Sequence, residues 1–239
     1  MTKDGTKSVV GAGVLVMSMA LTMLTGCGAT QKAKLDRNAG CSMLAPDVCQ
    51  NLRATVGENR AGLSYVASGI DWAQYKSVLI SPVAFYGSSE SKVSASDQQE
   101  LTNYLHQALA KAVGAKFSLV DRPGPGVMRL QVGITDVEGA TPALRTVSMA
   151  IPQLRAVATL KYIATGTYPF VGSAEGEALV QDSVSGKVLG AAMDRRVGGG
   201  SMTTAAQWSM GDAENAMTKW AELTATRLSQ LRQGTSSGN

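Results

Sequence analysis

Between Met128 and Val137 apolar and polar residues take turns: Met128, Leu130, Val132 and Ile134 are separated by polar or small residues. Period two puts those four side chains on one face of a strand, and that face must be covered. The pattern therefore demands a sheet with a second layer on it. The second layer is legible too. Leu101, Leu105, Ala108, Leu109 and Ala112 recur at helical spacing. Ser96, three before Gln99, has the form of a helix start, and Gly114 is placed to end that helix. Ala213, Ala216, Met217, Trp220, Leu223, Leu228 and Leu231 give residues 210–231 a second apolar stripe.

More strands fall around these. Val78-Leu79-Ile80 and Val83-Ala84-Phe85 flank Pro82, which marks a bend or an edge. Residues 117–120 form a short strand. Residues 172–182 and 187–196 form a hairpin turning at Ser183-Val184-Ser185-Gly186. Residues 141–170 carry no acid, three bases (Arg145, Arg155, Lys161) and many apolar residues; they read as a loop and a short helix. The order β-α-β-β-(α)-β-β-α predicts one α/β (α+β) domain. It has about five strands in a mixed sheet, two to three helices packed on one face, and no internal repeat.

The chain's start is of another kind. Lys3 and Lys7 precede an apolar run over 9–23, closed by Leu24-Thr25-Gly26-Cys27. Basic, apolar, then small is the order of a secretory signal, so residues 1–26 are set apart from the fold. The run is too short and too interrupted for a spanning helix. Leu-Thr-Gly-Cys resembles the lipobox of bacterial lipoproteins. The resemblance implies diacylglycerol, including palmitate, on Cys27 and cleavage before it; the plainer alternative is a secreted protein with a chance cysteine. Two or three acyl chains hold a protein far more firmly than one. Gly28 stands where enteric lipoproteins retained in the inner membrane carry Asp. That resemblance implies an anchor in the outer membrane, with the domain in the periplasm.

With Cys27 lipidated, Cys41 and Cys49 remain in an oxidising compartment, and a disulfide between them is expected. Residues 27–57 read as a lipidated tether carrying that disulfide loop, 58–232 as the domain and 233–239 as a flexible tail. Fully extended, the thirteen residues 28–40 would reach about 45 Å. The whole chain has 22 basic and 18 acidic residues; losing Lys3, Lys7 and Asp4 leaves 20 and 17. So mild an excess does not call for nucleic acid.

Three stretches carry a family likeness: Gly69-Ile70-Asp71-Trp72 with Tyr75-Lys76 and the strand after it, residues 126–136, and Asp182-Ser183-Val184-Ser185-Gly186-Lys187-Val188-Leu189. Their order and spacing resemble a bacterial envelope lipoprotein family known only as a domain of unknown function, number thirty-three thirteen of its series. The resemblance implies an envelope lipoprotein and supplies no catalytic residue.

The residues themselves offer few candidates for chemistry. His106, the single histidine, sits in the first long helix with no marked nucleophile or orienting acid. Glu175 and Glu177 are two apart on a strand and share a face, with Asp136, Asp182 and Asp194 within reach across a sheet. A carboxylate pair is what glycan hydrolysis needs. The plainer reading is a solvated face paired with Arg195 or Arg129, carrying ordinary pKa values. Gly198-Gly199-Gly200 lacks the Lys-Ser/Thr of a phosphate loop. Trp72, Tyr75 and Trp208 are candidate ligand aromatics, whereas Trp220 belongs to a core stripe.

Neither a cofactor nor a metal site is expected. The leading expectation is a non-enzymatic binding or assembly module of the envelope. Its partners would be the membrane, through Cys27, and an envelope protein or the cell wall, met by residues 141–170. A cell-wall glycan or peptide hydrolase using Glu175 and Glu177 is the alternative, and a subunit of a larger envelope machine a third.

Overall fold

The computed structural model describes residues 30–35, 40–87, 93–138, 172–198 and 211–234. In chain order these form β1 (Gln31–Lys32), α1 (Pro46–Gln50), β2 (Arg53–Ala54), β3 (Leu63–Val66) and a 3-10 turn (Trp72–Gln74). Then come β4 (Ser77–Ile80), β5 (Ala84–Phe85), α2 (Ala95–Gly114), β6 (Ser118–Leu119), β7 (Val127–Glu138), β8 (Ser173–Asp182), β9 (Val188–Val197) and α3 (Gly211–Arg232).

The α+β class holds, with three helices on a mixed sheet. Among the described residues the sheet has nine strands rather than five, in the order β2-β3-β9-β8-β7-β4-β6, with β1 on β9 and β5 on β7. β1, β2, β5 and β6 are two residues long, too short for alternation to register in a sequence. β4 and β5 both run parallel to β7, at 127–130 and 133–134. Pro82 falls in the gap between them, where its missing N–H disturbs no ladder.

α2 starts at Ser94, whose Oγ accepts the Asp97 N–H at 3.2 Å, not at Ser96. It buries Leu101, Leu105, Leu109 and Val113. α3 buries Ala213, Ala216, Met217, Trp220 and Leu228. Both stripes close on Met128, Leu130, Val132 and Ile134 of β7 and on Leu189 of β9 in one core.

The other face of the sheet is covered as well, by the segment expected to be a tether. Leu44, Val48 and Leu52 pack with Leu63, Ala191 and Met193 in a second, smaller core. The Cys41–Cys49 disulfide is present, its Cα atoms 6.0 Å apart, and closes this cap. Residues 41–52 therefore belong to the packed fold. Gln31 and Lys32 pair with Val197 and Arg196, and the Ala33 N–H donates to the Arg195 carbonyl. Residues 41–52 lie on the sheet because three apolar side chains at helical spacing, 44, 48 and 52, need a surface to bury them.

Candidate functional site

β8 carries the acids singled out in the sequence, and its two faces differ. Ala174 lies in the helix-side core, and Ala178 packs against it. A Cβ on Gly176 would stand 3.0 Å from the Trp220 ring, so α3 approaches as closely as a small residue permits. Glu175 and Glu177 point the opposite way, as alternation requires.

That opposite face is not open. Glu177 is 1% exposed. Its Oε1 accepts the Ser42 N–H at 2.7 Å, and its Oε2 accepts the N–H groups of Met43 and Leu44 at 2.9 and 2.8 Å. Three amides converge on one carboxylate because the disulfide loop passes directly over it. The expectation of an open, wet face is corrected for this residue. Glu177 is a buried anchor for the cap, tied to a segment more than 130 residues earlier in the chain.

Glu175 has different company. A bulge in β7 between Ile134 and Asp136 re-phases the strand. Without it, Asp136 and Glu138 would share the parity of Ile134 and point at α2 and α3. With it, Val137 takes the core position, and the two acids join Glu175 on the other face. Arg195 of β9 stands among them, its Nη1 3.8 Å from Glu175 and its Nη2 3.5 Å from Glu138 and 3.8 Å from Asp136. Ser173 Oγ donates to Glu138 at 3.1 Å, and Thr135, the bulge residue, reaches Glu175 at 3.4 Å. Burial pushes the Glu175 carboxyl above its ordinary range; Arg195 opposes that shift, and Asp136 adds to it. Of the two cations expected to pair with these acids, Arg195 is the one that does so.

Asp194 does not join this group. It faces α3, is 4% exposed and gathers three donors: Gly62 N–H at 2.8 Å, Trp220 Nε1 at 3.1 Å and Arg196 Nε at 2.8 Å. Burial pushes its carboxyl up, against the pull of Arg196. Arg196 is itself fully buried and continues to the Glu58 carbonyl at 2.8 Å. In the sequence Asp194-Arg195-Arg196 passes for a solvated strand end. The hollow beside Glu177, Asp194 and Trp220 holds about 50 Å³, roughly room for a water or two.

Asp182 lies at the far end of the hairpin and tightens its turn. It accepts the Ser185 N–H at 2.8 Å and the Val184 N–H at 3.2 Å, and the Ser185 amide leads in holding its carboxyl below the usual range. Tyr75 Oη donates to it at 3.1 Å; burial and this neighbour push the phenol up to about 12. The Lys76 N–H meets the Gly126 carbonyl at 3.1 Å, and the Ser183 N–H meets the Val127 carbonyl at 3.0 Å. Gly126 has φ 71°, and a Cβ there would press on the Gln74 carbonyl. So the three stretches that carry the family likeness meet at one end of the sheet and tie it together. Beside them an open cleft of about 650 Å³ is lined by Lys76, Lys116, Phe117 and Arg232, with Arg232 lying 4.4 Å over the Phe117 ring.

His106 is half-buried on α2, on the helix side and away from the acids. Trp220 is core, 7% exposed. Trp72 and Tyr75 meet edge-on, 6.3 Å apart, and Trp72 packs against the main core. Cys27, Gly199, Gly200, Trp208 and residues 141–170 lie outside the described residues. Among the described residues no group of three or more His, Cys, Asp or Glu is set to hold a metal ion, and no helix is long and apolar enough to cross a membrane.

The model of a family described as "Protein of unknown function (DUF3313)" matches residues 43–224. No curated protein matches the chain. Among solved structures, the PelC dodecamer from Paraburkholderia phytofirmans is similar in two crystal forms. One, a point variant, is 15% identical, covers 71% of this chain and 95% of its own, and gives a TM-score of 0.37. The other is 10% identical and covers 68% and 94%, with a TM-score of 0.37. A Xanthomonas campestris protein of the DUF330 family is 12% identical, covers 67% and 90%, and gives 0.39.

Proposed function

This chain belongs to the DUF3313 family, and we propose that it is a lipoprotein of the bacterial envelope whose domain binds or positions a partner without catalysis. The observation that carries the non-enzymatic half is the use to which the acids are put. Glu177, one of the two carboxylates a glycan hydrolase would need, accepts three backbone N–H groups beneath the disulfide cap and cannot reach a substrate. Glu175 has the raised pKa that a general acid requires. Its neighbours, though, are two acids sharing the Arg195 guanidinium, the hydroxyls beside them are engaged, Ser173 with Glu138 and Thr135 with Glu175, and no histidine stands with them among the described residues.

The anchoring half rests on Leu24-Thr25-Gly26-Cys27. The disulfide supports it, since such bonds persist in the exported compartment. Lipid on Cys27, with Gly28 after it, would place the domain on the periplasmic side of the outer membrane, with envelope protein or cell wall as the partner.

Both halves are tested in cells fed a fatty-acid probe. Wild type should take up label and fractionate with outer membrane, and Cys27→Ser should remain unlabelled. Purified protein should leave cell-wall fragments intact. Label-free wild type would end the lipoprotein reading. Turnover by wild type that Glu175→Gln abolishes would replace the binding module with a hydrolase.

A further inference from the structure

The position of β1 limits how far the domain can stand from its anchor. Gln31 is already paired with Val197 in the sheet. Only four peptide steps separate it from Cys27, and they span at most about 14 Å when fully extended. The end of the sheet that holds Val197 must therefore lie close to any lipid on that cysteine.

At this same end lies the β2–β3 connection, residues 55–62. The Lys32 N–H donates to Glu58 at 3.0 Å, and Lys32 Nζ donates to Thr55 Oγ1 at 3.3 Å, so the loop is fastened to the first strand. The loop carries Val56, 90% exposed, the barest large apolar side chain of the described residues. The acid beside it is engaged, Glu58 by Arg196 at 3.7 Å and by the Lys32 amide. Arg60 and Lys219, which donates to Asn59 at 3.0 Å, add positive charge around the loop. Asp136 and Glu138, also at this end, lie on β7, across β8 from β9, and are gathered around Arg195.

We propose that the loop 55–62 is a second membrane contact, with Val56 seated at the headgroup level of the bilayer that holds the acylated Cys27. The occupant is the phospholipid surface, because the covalent leash is too short to bring a large protein between loop and lipid. An exposed apolar side chain on a loop that carries Arg60 and is joined by Lys219 fits an interfacial site whose headgroups are anionic. The inference rests on lipidation of Cys27. It also fixes an orientation. β9 runs nine residue steps from Val197 to Val188, about 30 Å. The hairpin turn with Val184, 66% exposed, and the cleft of Lys76, Lys116 and Arg232 would then face away from the membrane.

The test uses the full lipidated protein carrying Val56→Cys or Val184→Cys, each labelled with a small fluorophore. Each is reconstituted in vesicles of phosphatidylethanolamine and phosphatidylglycerol that hold a headgroup-level quencher lipid. Mass spectrometry of the same samples reports the lipid on Cys27. Quenching several-fold stronger at position 56 than at 184 is expected. Equal quenching, or stronger quenching at 184, on protein shown to be lipidated would overturn the second contact and leave the anchor standing. Protein without lipid on Cys27 would overturn the anchor, and the contact with it.

Discussion

The two faces of β8 are covered by different physics. On one, Ala174, Gly176 and Ala178 let two long helices settle onto the sheet, and the cover is held by a wide apolar core. On the other, the cover is a five-residue helix and its flanking turns. Its apolar core has six buried residues among those described, and the deficit is met by a disulfide and one carboxylate with three amide donors. A small cover cannot bury enough surface to hold itself. It is fastened at a few points, each of which matters more than any single contact under the helices. The cap should therefore be separable from the helix face by single changes.

The largest effect is expected at Glu177. Replacing it with Ala leaves three N–H groups without their acceptor, that of Leu44 buried and those of Ser42 and Met43 partly so, and a fully buried one costs about 1–3 kcal/mol when unsatisfied. The loss should reach about 3 kcal/mol, limited by the point at which the cap lifts and its amides find water. Hydrogen exchange of intact protein is the measurement. Protection over residues 41–52 should collapse while that of α2 and α3 persists. Equal loss across both faces would show that the cap is no separate unit.

Sequence reading reached the helix face and stopped at the cap. The alternation in β7 and the stripes of α2 and α3 are local signals of period two and 3.6, and they placed the main core correctly. The break in that alternation was also present: Ile134 and Val137 are three apart, and both are core. Read as a phase shift, it announces the bulge that sends Asp136 and Glu138 to Arg195. The spacing of Leu44, Val48 and Leu52 likewise marked a buried turn of helix inside a stretch otherwise polar enough to pass for tether. Glu177 was beyond reach. Nothing local distinguishes a solvated strand acid from one whose three donors lie about 135 residues away. Asp194 and Arg196 were hidden for the same reason, their partners being Gly62, Trp220 and the 58–60 loop.

Cys41→Ala with Cys49→Ala should come next in size. The loop closed is short, with the cysteines eight apart, so the chain-entropy model gives about 2–3 kcal/mol. Because the cap packs on the sheet, the cost should appear as release of the cap rather than as a loose surface loop. The wild type in reductant should match the double variant in its melting and in its exchange over residues 41–52. If the double variant melts as wild type does, the disulfide adds nothing that Glu177 does not already hold.

The smallest effect is expected at Glu175, and its sign distinguishes it from its neighbour. Burial raises its carboxyl above the ordinary value of 4.5, with Asp136 adding and Arg195 opposing. For an acid, a folded pKa above the unfolded one means that the native state holds the proton more tightly. The group then favours folding most at low pH, and that contribution is lost as pH rises through the unfolded pKa toward the folded one. At neutral pH the ionised Glu175 is a net cost that its ion pair only partly offsets. Glu175→Gln removes the ionisation and leaves Arg195 its contacts with Asp136 and Glu138. Stability at pH 7 should therefore be unchanged or higher, by at most about 0.5 kcal/mol. The gap between variant and wild type should open as pH rises from 4 and stay open above it. Thermal melts from pH 3.5 to 8 provide the check. A variant less stable than wild type at pH 7, with the gap closing in acid, would mean that Glu175 is held ionised by Arg195 as a stabilising partner and that the two acids of β8 play the same part.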